Sequence, residues 1–353
     1  MGKKPKVFIA MSGGVDSSVA AALLVNSGNF DVVGAHMKCW SEGSYCTSER
    51  DAEDARLVAA KLGIPFYVFD FEEEYRGKVF GYMVDRYLSG ETPNPDVMCN
   101  KEIKFGIFLK KALELGAEFI ATGHYVRSLR TPDGKVTLHR AIDSGKDQSY
   151  FLWTLTQDQL KSCFFPIGDY IKKDVRKIAE GLGLATSKKK DSQGLCFVGD
   201  VDFSDFLRNV LPQRKGEIIT VSGKKIGEHD GVEFYTIGQR KGIGIGGGIP
   251  YYVADKNIKE NKLIVAEGPY DGSLFKNETT LTDVNWILGA PPKLPLDINV
   301  MIRYRQTPHK ARITKKGSNI LVKFKDPQRA VTTGQSAVFY KDGEMLGGGV
   351  IVR

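Results

Sequence analysis

The sequence predicts an α/β protein with a parallel sheet in its N-terminal half and β-rich structure from there to the end. Three observations predict it. An apolar run, Val7 to Met11, breaks into the glycine loop Ser12-Gly13-Gly14-Val15-Asp16-Ser17-Ser18 and then into a helix-like segment from Val19 to Leu24. Strand-like and helix-like segments alternate through the first half, the pattern of βαβ units. From about Asp202 helical periodicity fades, and short β-rich runs appear between Gly, Pro and Asn turns.

The elements follow in order. Val32 to Met37 reads as the second strand. Asp51 to Leu62 has helical spacing, closed by Gly63 with Pro65 beyond it, and Phe66 to Phe69 is the third strand. Glu102 to Leu115 is an amphipathic helix ended by Gly116, before the strand Phe119 to Gly123. Ile218 to Val221, Tyr251 to Val253 and Lys262 to Val265 are short strands, and an all-β stretch from about Leu281 includes Ile320 to Phe324 and Ala337 to Tyr340. These changes place domains at 1–201, 202–273 and 274–353. Gly242-Ile243-Gly244-Ile245-Gly246-Gly247 satisfies GxGxxG, but Pro250 and a strand follow it rather than a helix, so it is not a dinucleotide site.

The chain has 353 residues, ample for several cores, and 50 Lys and Arg against 42 Asp and Glu give a net charge of +8. That balance fits a polyanionic partner without identifying it. No apolar run reaches membrane-spanning length, and the basic start Met1 to Lys6 leads into too short an apolar run for a signal peptide. Five scattered cysteines with no CxxC predict a reducing, cytoplasmic setting in which an important thiol is reactive rather than bridged.

Chemistry concentrates at three places. A strand, a glycine turn and a helix N-terminus at 12–18 can aim backbone N–H groups and hydroxyls at one anion. Asp16 would repel a bare phosphate, but it fits if Mg²⁺ sits between it and a pyrophosphate. Ser-Gly-Gly-x-Asp-Ser resembles the signature of the PP-loop ATP pyrophosphatases, which split ATP between its α and β phosphates. ATP is therefore expected on Ala10, Met11, Ser12, Gly13, Gly14, Val15, Asp16 and Ser17. Met37 and Gly123 lie at neighbouring strand ends and should converge on the same nucleotide, although Met37 taken alone reads better as core. At Thr92 to Asn100, Pro93 and Pro95 stiffen an extended loop and place Cys99 just before a helix starting near Lys101, where its thiol is biased toward thiolate; Asp96 can shuttle a proton. The third place is the basic, turn-rich Lys188 to Phe197, with Cys196 after Gly194 and Leu195.

Together these motifs resemble the bacterial tRNA-specific 2-thiouridylases of the MnmA type. The matching segments are the loop at 12–18, TPNPDVMCNKEIKF at 92–105, TGHYVR at 122–127, KDQSYFL at 146–152 and KKKDSQGLCF at 188–197. TIGQRKGIGIGG at 236–247, RYRQ at 303–306 and GQSAVFY at 334–340 extend the match almost to the C-terminus. The resemblance implies an adenine-nucleotide α-hydrolase-like domain, a small central β domain and a C-terminal β-barrel. It implies that Cys196 carries a persulfide, that Cys99 helps release the sulfur and that Asp96 is the acid/base beside the target base, with Asn94 and Pro95 holding it. It also implies tRNA contacts at His124, Lys146, Asp147, Gln148, Arg303, Tyr304 and Gln335, and a sulfur donor that is a cysteine desulfurase or a relay carrier.

Asp96, Cys99 and Cys196 could equally ligate an iron–sulfur cluster with one open iron, and sequence does not separate that from the favoured persulfide. Two other readings share some features. A PP-loop amidating synthetase would use the same ATP loop but has no use for Cys99 and Cys196. A tRNA-binding protein that only senses ATP would not need Asp16. From Ile298 to Lys325 the basic residues include Arg303, Arg305, Lys310 and Arg312, with no Asp or Glu among them, which predicts an RNA face. A bend must break the strand there if Arg303, Tyr304 and Arg305 are to face one ligand.

Overall fold

A computed structural model describes residues 3–41, 48–190, 203–246 and 248–352, with side chains at 203–206 excepted. The N-terminal sheet is parallel and has five strands. These are β1 (Lys6–Ala10), β2 (Asp31–Lys38), β3 (Phe66–Asp70), β4 (Phe119–Ala121) and β7 (Cys163–Phe164), in the order β3-β2-β1-β4-β7. β1 is central and almost wholly buried because its residues are apolar on both faces, as a strand covered by helices on each side must be. α1 (Val15–Ser27) and α2 (Ser48–Leu62) pack on one face. The strand order reverses between β1 and β4, so the carboxyl ends of those two strands frame the cleft where such sheets bind ligands.

Sequence and structure part at Pro95. The helix begins there rather than near Lys101, as α3 (Pro95–Met98), and continues through a π-helical stretch, Cys99–Phe108. Proline suits the first helical position because its missing N–H has no intrahelical acceptor in any case, and Asn94 caps the turn by accepting from the Val97 N–H at 3.2 Å. Cys99 therefore sits in the second turn, fully buried, where the dipole of the helix start has largely faded.

The central domain is a four-stranded sheet of β8 (Gly216–Thr220), β9 (Lys225–His229), β10 (Tyr251–Asn257) and β11 (Lys262–Glu267). Residues 242–246 are turn and loop leading to β10, with no helix after them. The C-terminal strands are β12 (Phe275–Trp286), β13 (Leu296–Met301), β14 (His309–Lys316), β15 (Asn319–Arg329), β16 (Ser336–Lys341) and β17 (Glu344–Val352). β12 pairs with both β15 and β17, which closes the six into a barrel.

One joint between the parts was not foreseen. In the N-terminal half, β5 (Val126–Arg130) and β6 (Val136–Arg140) form a hairpin, and β6 pairs with β17 of the barrel at Glu344–His139 and Met345–Leu138. Its signal was in the sequence: Pro132-Asp133-Gly134 between two alternating runs is a hairpin turn, and Gly134 takes φ +79° there. Phe8 and Val33 of the parallel sheet share one apolar cluster with Leu138, Met301, Tyr340 and Met345. Among the described residues, no helix is long and apolar enough to cross a membrane.

Candidate active site

The loop between β1 and α1 is shaped by its own side chains. Ser17 Oγ donates to the Gly14 carbonyl at 3.1 Å and accepts from the Ser12 N–H at 3.2 Å, and Ser18 Oγ donates to the same carbonyl at 2.8 Å. Glycine is obligatory at two points. Gly13 has φ +71°, and a Cβ there would meet the Asp51 carbonyl oxygen of α2. A Cβ on Gly123 would lie 2.7 Å from the Ser17 nitrogen, so the chain after β4 touches the start of α1. No side chain caps α1, which leaves its first-turn N–H groups for an anion. Met11 and Met37 are both buried, in separate apolar clusters.

Asp16 is not alone. Lys172, at the start of α4 (Lys172–Gly181), donates to both its carboxylate oxygens at 2.8 Å, and the Tyr125 hydroxyl donates to one of them at 2.8 Å. A lysine at a helix N-terminus opposes the helix dipole, so its place is explained by Asp16 rather than by α4. A carboxylate at such a helix start would suit a divalent cation. Sequence reading missed both partners. They lie 156 and 109 residues from Asp16, and no local pattern links them.

The segment entering 191–202 is tied to the same place. Lys189 pairs with Asp51 and Asp54, Thr186 donates to Ser18 at 2.9 Å, and Arg176 holds the carbonyls of Ser187 and Lys189. Cys196 itself, like Cys46, lies outside the described residues. Among those that are described, no three His, Cys, Asp or Glu side chains converge as a metal set, and Cys39, Cys99 and Cys163 are all buried.

The Thr92–Asp96 loop is held by the barrel. Gln335 donates to the carbonyls of Thr92 and Pro93 at 2.9 and 3.0 Å, and the Thr92 N–H donates to Thr333. Asp96 is half-buried and Cys99 follows one turn later, both ahead of Asn100, which donates to the Asp96 carbonyl. Tyr150 sits beneath: its hydroxyl donates to the Ser336 carbonyl at 2.9 Å, within reach of Asn94. Burial pushes that phenol well above its ordinary value, so it stays a donor.

The residues expected to face RNA are gathered around this loop, but several use their polar groups inward. Asp147 is 7 % exposed and accepts from Arg140, the Ala141 N–H and both the N–H and hydroxyl of Ser149, so it orders the 146–152 segment from below. Gln148 exchanges bonds with the backbone of Tyr125, while Lys146 is half-exposed. His124 is buried between Phe105 and Phe165 and bonds Thr122 at 2.7 Å. The bend needed at Arg303 is present: β13 stops at Met301 and Arg305 has φ +61°. Tyr304 packs 4.4 Å from Phe151, with the Arg305 guanidinium 5.2 Å over its ring. Arg303 Nη2 bonds Ile237 O, Ala330 O and Thr332 Oγ1 at 2.9, 2.8 and 3.1 Å, joining central domain to barrel. Arg303→Ala is thus expected to cost about 2–4 kcal/mol of stability as well as RNA affinity. A thermal midpoint equal to the parent's would contradict this.

Two buried histidines set a pH dependence. Burial holds His124 well below its ordinary value, with the Lys104 charge adding to the effect, and burial also lowers His36, whose Nδ1 bonds the Met11 carbonyl. The unfolded chain takes up protons at these sites below about pH 6.5, where the folded chain does not. Stability should therefore fall as pH drops below that value, and His124→Gln should flatten the profile. Thermal midpoints measured between about pH 7.5 and 5.5 test this, and identical slopes for parent and variant would contradict it.

Family models described as a tRNA methyl transferase HUP domain, a tRNA methyl transferase PRC-barrel domain and an aminomethyltransferase beta-barrel domain match residues 5–200, 204–267 and 276–351. The chain is also similar to the U34-tRNA thiolase NcsA from Methanococcus maripaludis, solved with its [4Fe-4S] cluster. That match has 22 % identity and a TM-score of 0.38, and covers 60 % of this chain and 69 % of the other. NMN synthetase from Francisella tularensis matches at 17 % identity and a TM-score of 0.35, over 59 % of this chain and 78 % of that one. A predicted subunit of tRNA methyltransferase from Methanocaldococcus jannaschii matches at 17 % and 0.30, over 50 % and 76 %. With all three models matched in order along almost its whole length, the chain belongs to the tRNA methyl transferase family of PP-loop proteins, the MnmA-type architecture of HUP domain, central domain and closed barrel.

Proposed function

We propose that this chain is an ATP-dependent tRNA-uridine 2-sulfurtransferase, which makes 2-thiouridine at the wobble position of anticodons. The observation that carries the reading is the uncapped start of α1 with Asp16 at its mouth, an anion cradle that brings its own cation ligand. Methyl transfer, which the family description names, has no use for an uncapped helix start with a carboxylate at its mouth.

The target uridine enters beside Asn94, Pro95 and Asp96. Its C2 oxygen attacks the α-phosphorus of ATP, an O–P bond forms, the α–β bridge breaks and pyrophosphate leaves. Mg²⁺ on the pyrophosphate, when bound, neutralises charge as it develops. Val15, Asp16 and Ser17 present N–H groups to the phosphates, and Lys172, displaced from Asp16, adds its ammonium. The terminal sulfur of a Cys196 persulfide then attacks C2 and AMP departs. Cys99 attacks the inner sulfur of Cys196, which frees the transferred sulfur and leaves a Cys99–Cys196 disulfide for an external thiol to reduce. Asp96 moves protons at the base. A cysteine desulfurase or relay carrier reloads Cys196 in the cytoplasm. Lys146, Gln148, Tyr304, Arg303 and Gln335 form the RNA-facing rim, with Asp147 and the buried His124 ordering it from beneath.

AMP and pyrophosphate formed only in the presence of tRNA would support this reading, and ADP with orthophosphate, or methylation from S-adenosylmethionine, would contradict it. Anaerobically purified protein is expected to lack the visible absorption of an iron–sulfur cluster, and such absorption would replace the persulfide route.

A further inference from the structure

Arg329, at the end of β15, has no part in the chemistry above, yet its surroundings are unusual. Its Nε donates to Pro269 O at 3.3 Å and its guanidinium lies 4.8 Å over the Tyr252 ring, while its Nη2 is buried with no hydrogen-bond partner. Arg303 lies close by, across Gly238 and Ala330. A Cβ on Gly238 would sit 3.6 Å from Arg303 Nη2 and 3.7 Å from Arg329 Nη1. Neither guanidinium has a carboxylate at ion-pair distance among the described residues, and burial together with the Arg329 charge pushes Arg303 below its ordinary value. Two half-buried like charges without a counterion cost stability unless an anion joins them.

We propose that Arg303 and Arg329 form a phosphodiester site at the junction of central domain and barrel, which seats a phosphate flanking the nucleotide delivered to the Asn94–Asp96 loop. A phosphodiester has two non-bridging oxygens and can take an N–H from each guanidinium. Arg303 spends Nη2 on the protein, so its Nη1 and Nε serve the ligand, and Arg329 offers Nη1 and Nη2. Tyr252 holds the Arg329 plane, and three bonds hold Arg303, so little side-chain entropy is lost on binding. The place beside the loop follows from shared partners. Arg303 bonds Thr332, whose turn continues to Gln335 on Thr92 and Pro93, and its charge acts on Tyr150 beneath Asn94.

This rests on the RNA-modifying reading, and the test separates the two. Binding of a synthetic anticodon stem–loop is measured against KCl concentration for the parent, Arg329→Gln, Arg329→Lys and, as control, Lys225→Gln, whose charge is already paired with Glu217 and Glu228. Arg329→Gln should bind about tenfold more weakly at low salt, with a log–log slope flatter by roughly 0.7–0.9, one phosphate. Arg329→Lys should keep the slope, and the control should match the parent. A neutral methylphosphonate at one flanking phosphate should weaken the parent equally and Arg329→Gln no further. An unchanged slope in Arg329→Gln, or a methylphosphonate penalty undiminished in it, would overturn the site while parent binding and tRNA-dependent AMP formation leave the functional reading standing. A parent that binds no stem–loop would overturn both.

Discussion

Cys99→Ser is expected to lose thiolation to below about a thousandth of the parent rate, while the variant still converts ATP and tRNA to AMP-activated RNA and pyrophosphate. In the proposed mechanism the thiol acts only after activation, when it breaks the S–S bond of the persulfide, and serine cannot displace sulfur from sulfur. Because Cys99 is fully buried, a serine there also buries a hydroxyl, at about 1–3 kcal/mol. Thermal midpoint and AMP formation therefore have to be read beside thiolation. Cys196→Ser should share this phenotype, whereas Cys163→Ser should be active, because burial pushes the Cys163 thiol far above the range in which it ionises. Loss of AMP formation in a folded Cys99→Ser protein would place the thiol in the first step and contradict the assignment.

Asp16→Asn should give the complementary phenotype: tRNA binding retained and adenylation reduced about 10²–10³-fold. Asparagine keeps the shape but loses the charge that holds Lys172 and that, in the proposed mechanism, would position a divalent cation. Lys172→Met should lower adenylation too, but through weaker phosphate binding. The two variants should therefore differ in Mg²⁺ dependence, shifted upward in Asp16→Asn and unaltered in Lys172→Met. Equal Mg²⁺ dependence in both would mean that Asp16 acts only as the partner of Lys172.

The strand, glycine loop and helix at 7–27 were legible because the pattern is contiguous: strand, glycines, acid and helix follow within a dozen residues. The alternating sheet was legible for the same reason. What escaped was long-range or read by the wrong rule. Pro95 suggested a chain that could not yet be helical, but proline is at home in the first turn once Asn94 caps it, so Cys99 moved from a helix start to a buried second turn. Arg303 and Gln335 were expected to contact tRNA because of the family resemblance, and the structure shows each fastening one part of the chain to another. Lys172 and Tyr125 reach Asp16 only through the fold. The pairing of β6 with β17 likewise depends on which edge the hairpin meets, which no local pattern specifies.

The most direct measurement is mass spectrometry of nucleosides from unmodified tRNA incubated with the protein, ATP, Mg²⁺ and a cysteine desulfurase with cysteine. The account predicts a wobble uridine carrying sulfur in place of the C2 oxygen, with one AMP and one pyrophosphate per sulfur introduced. An unmodified or methylated wobble uridine, with the protein folded and the tRNA bound, would contradict it.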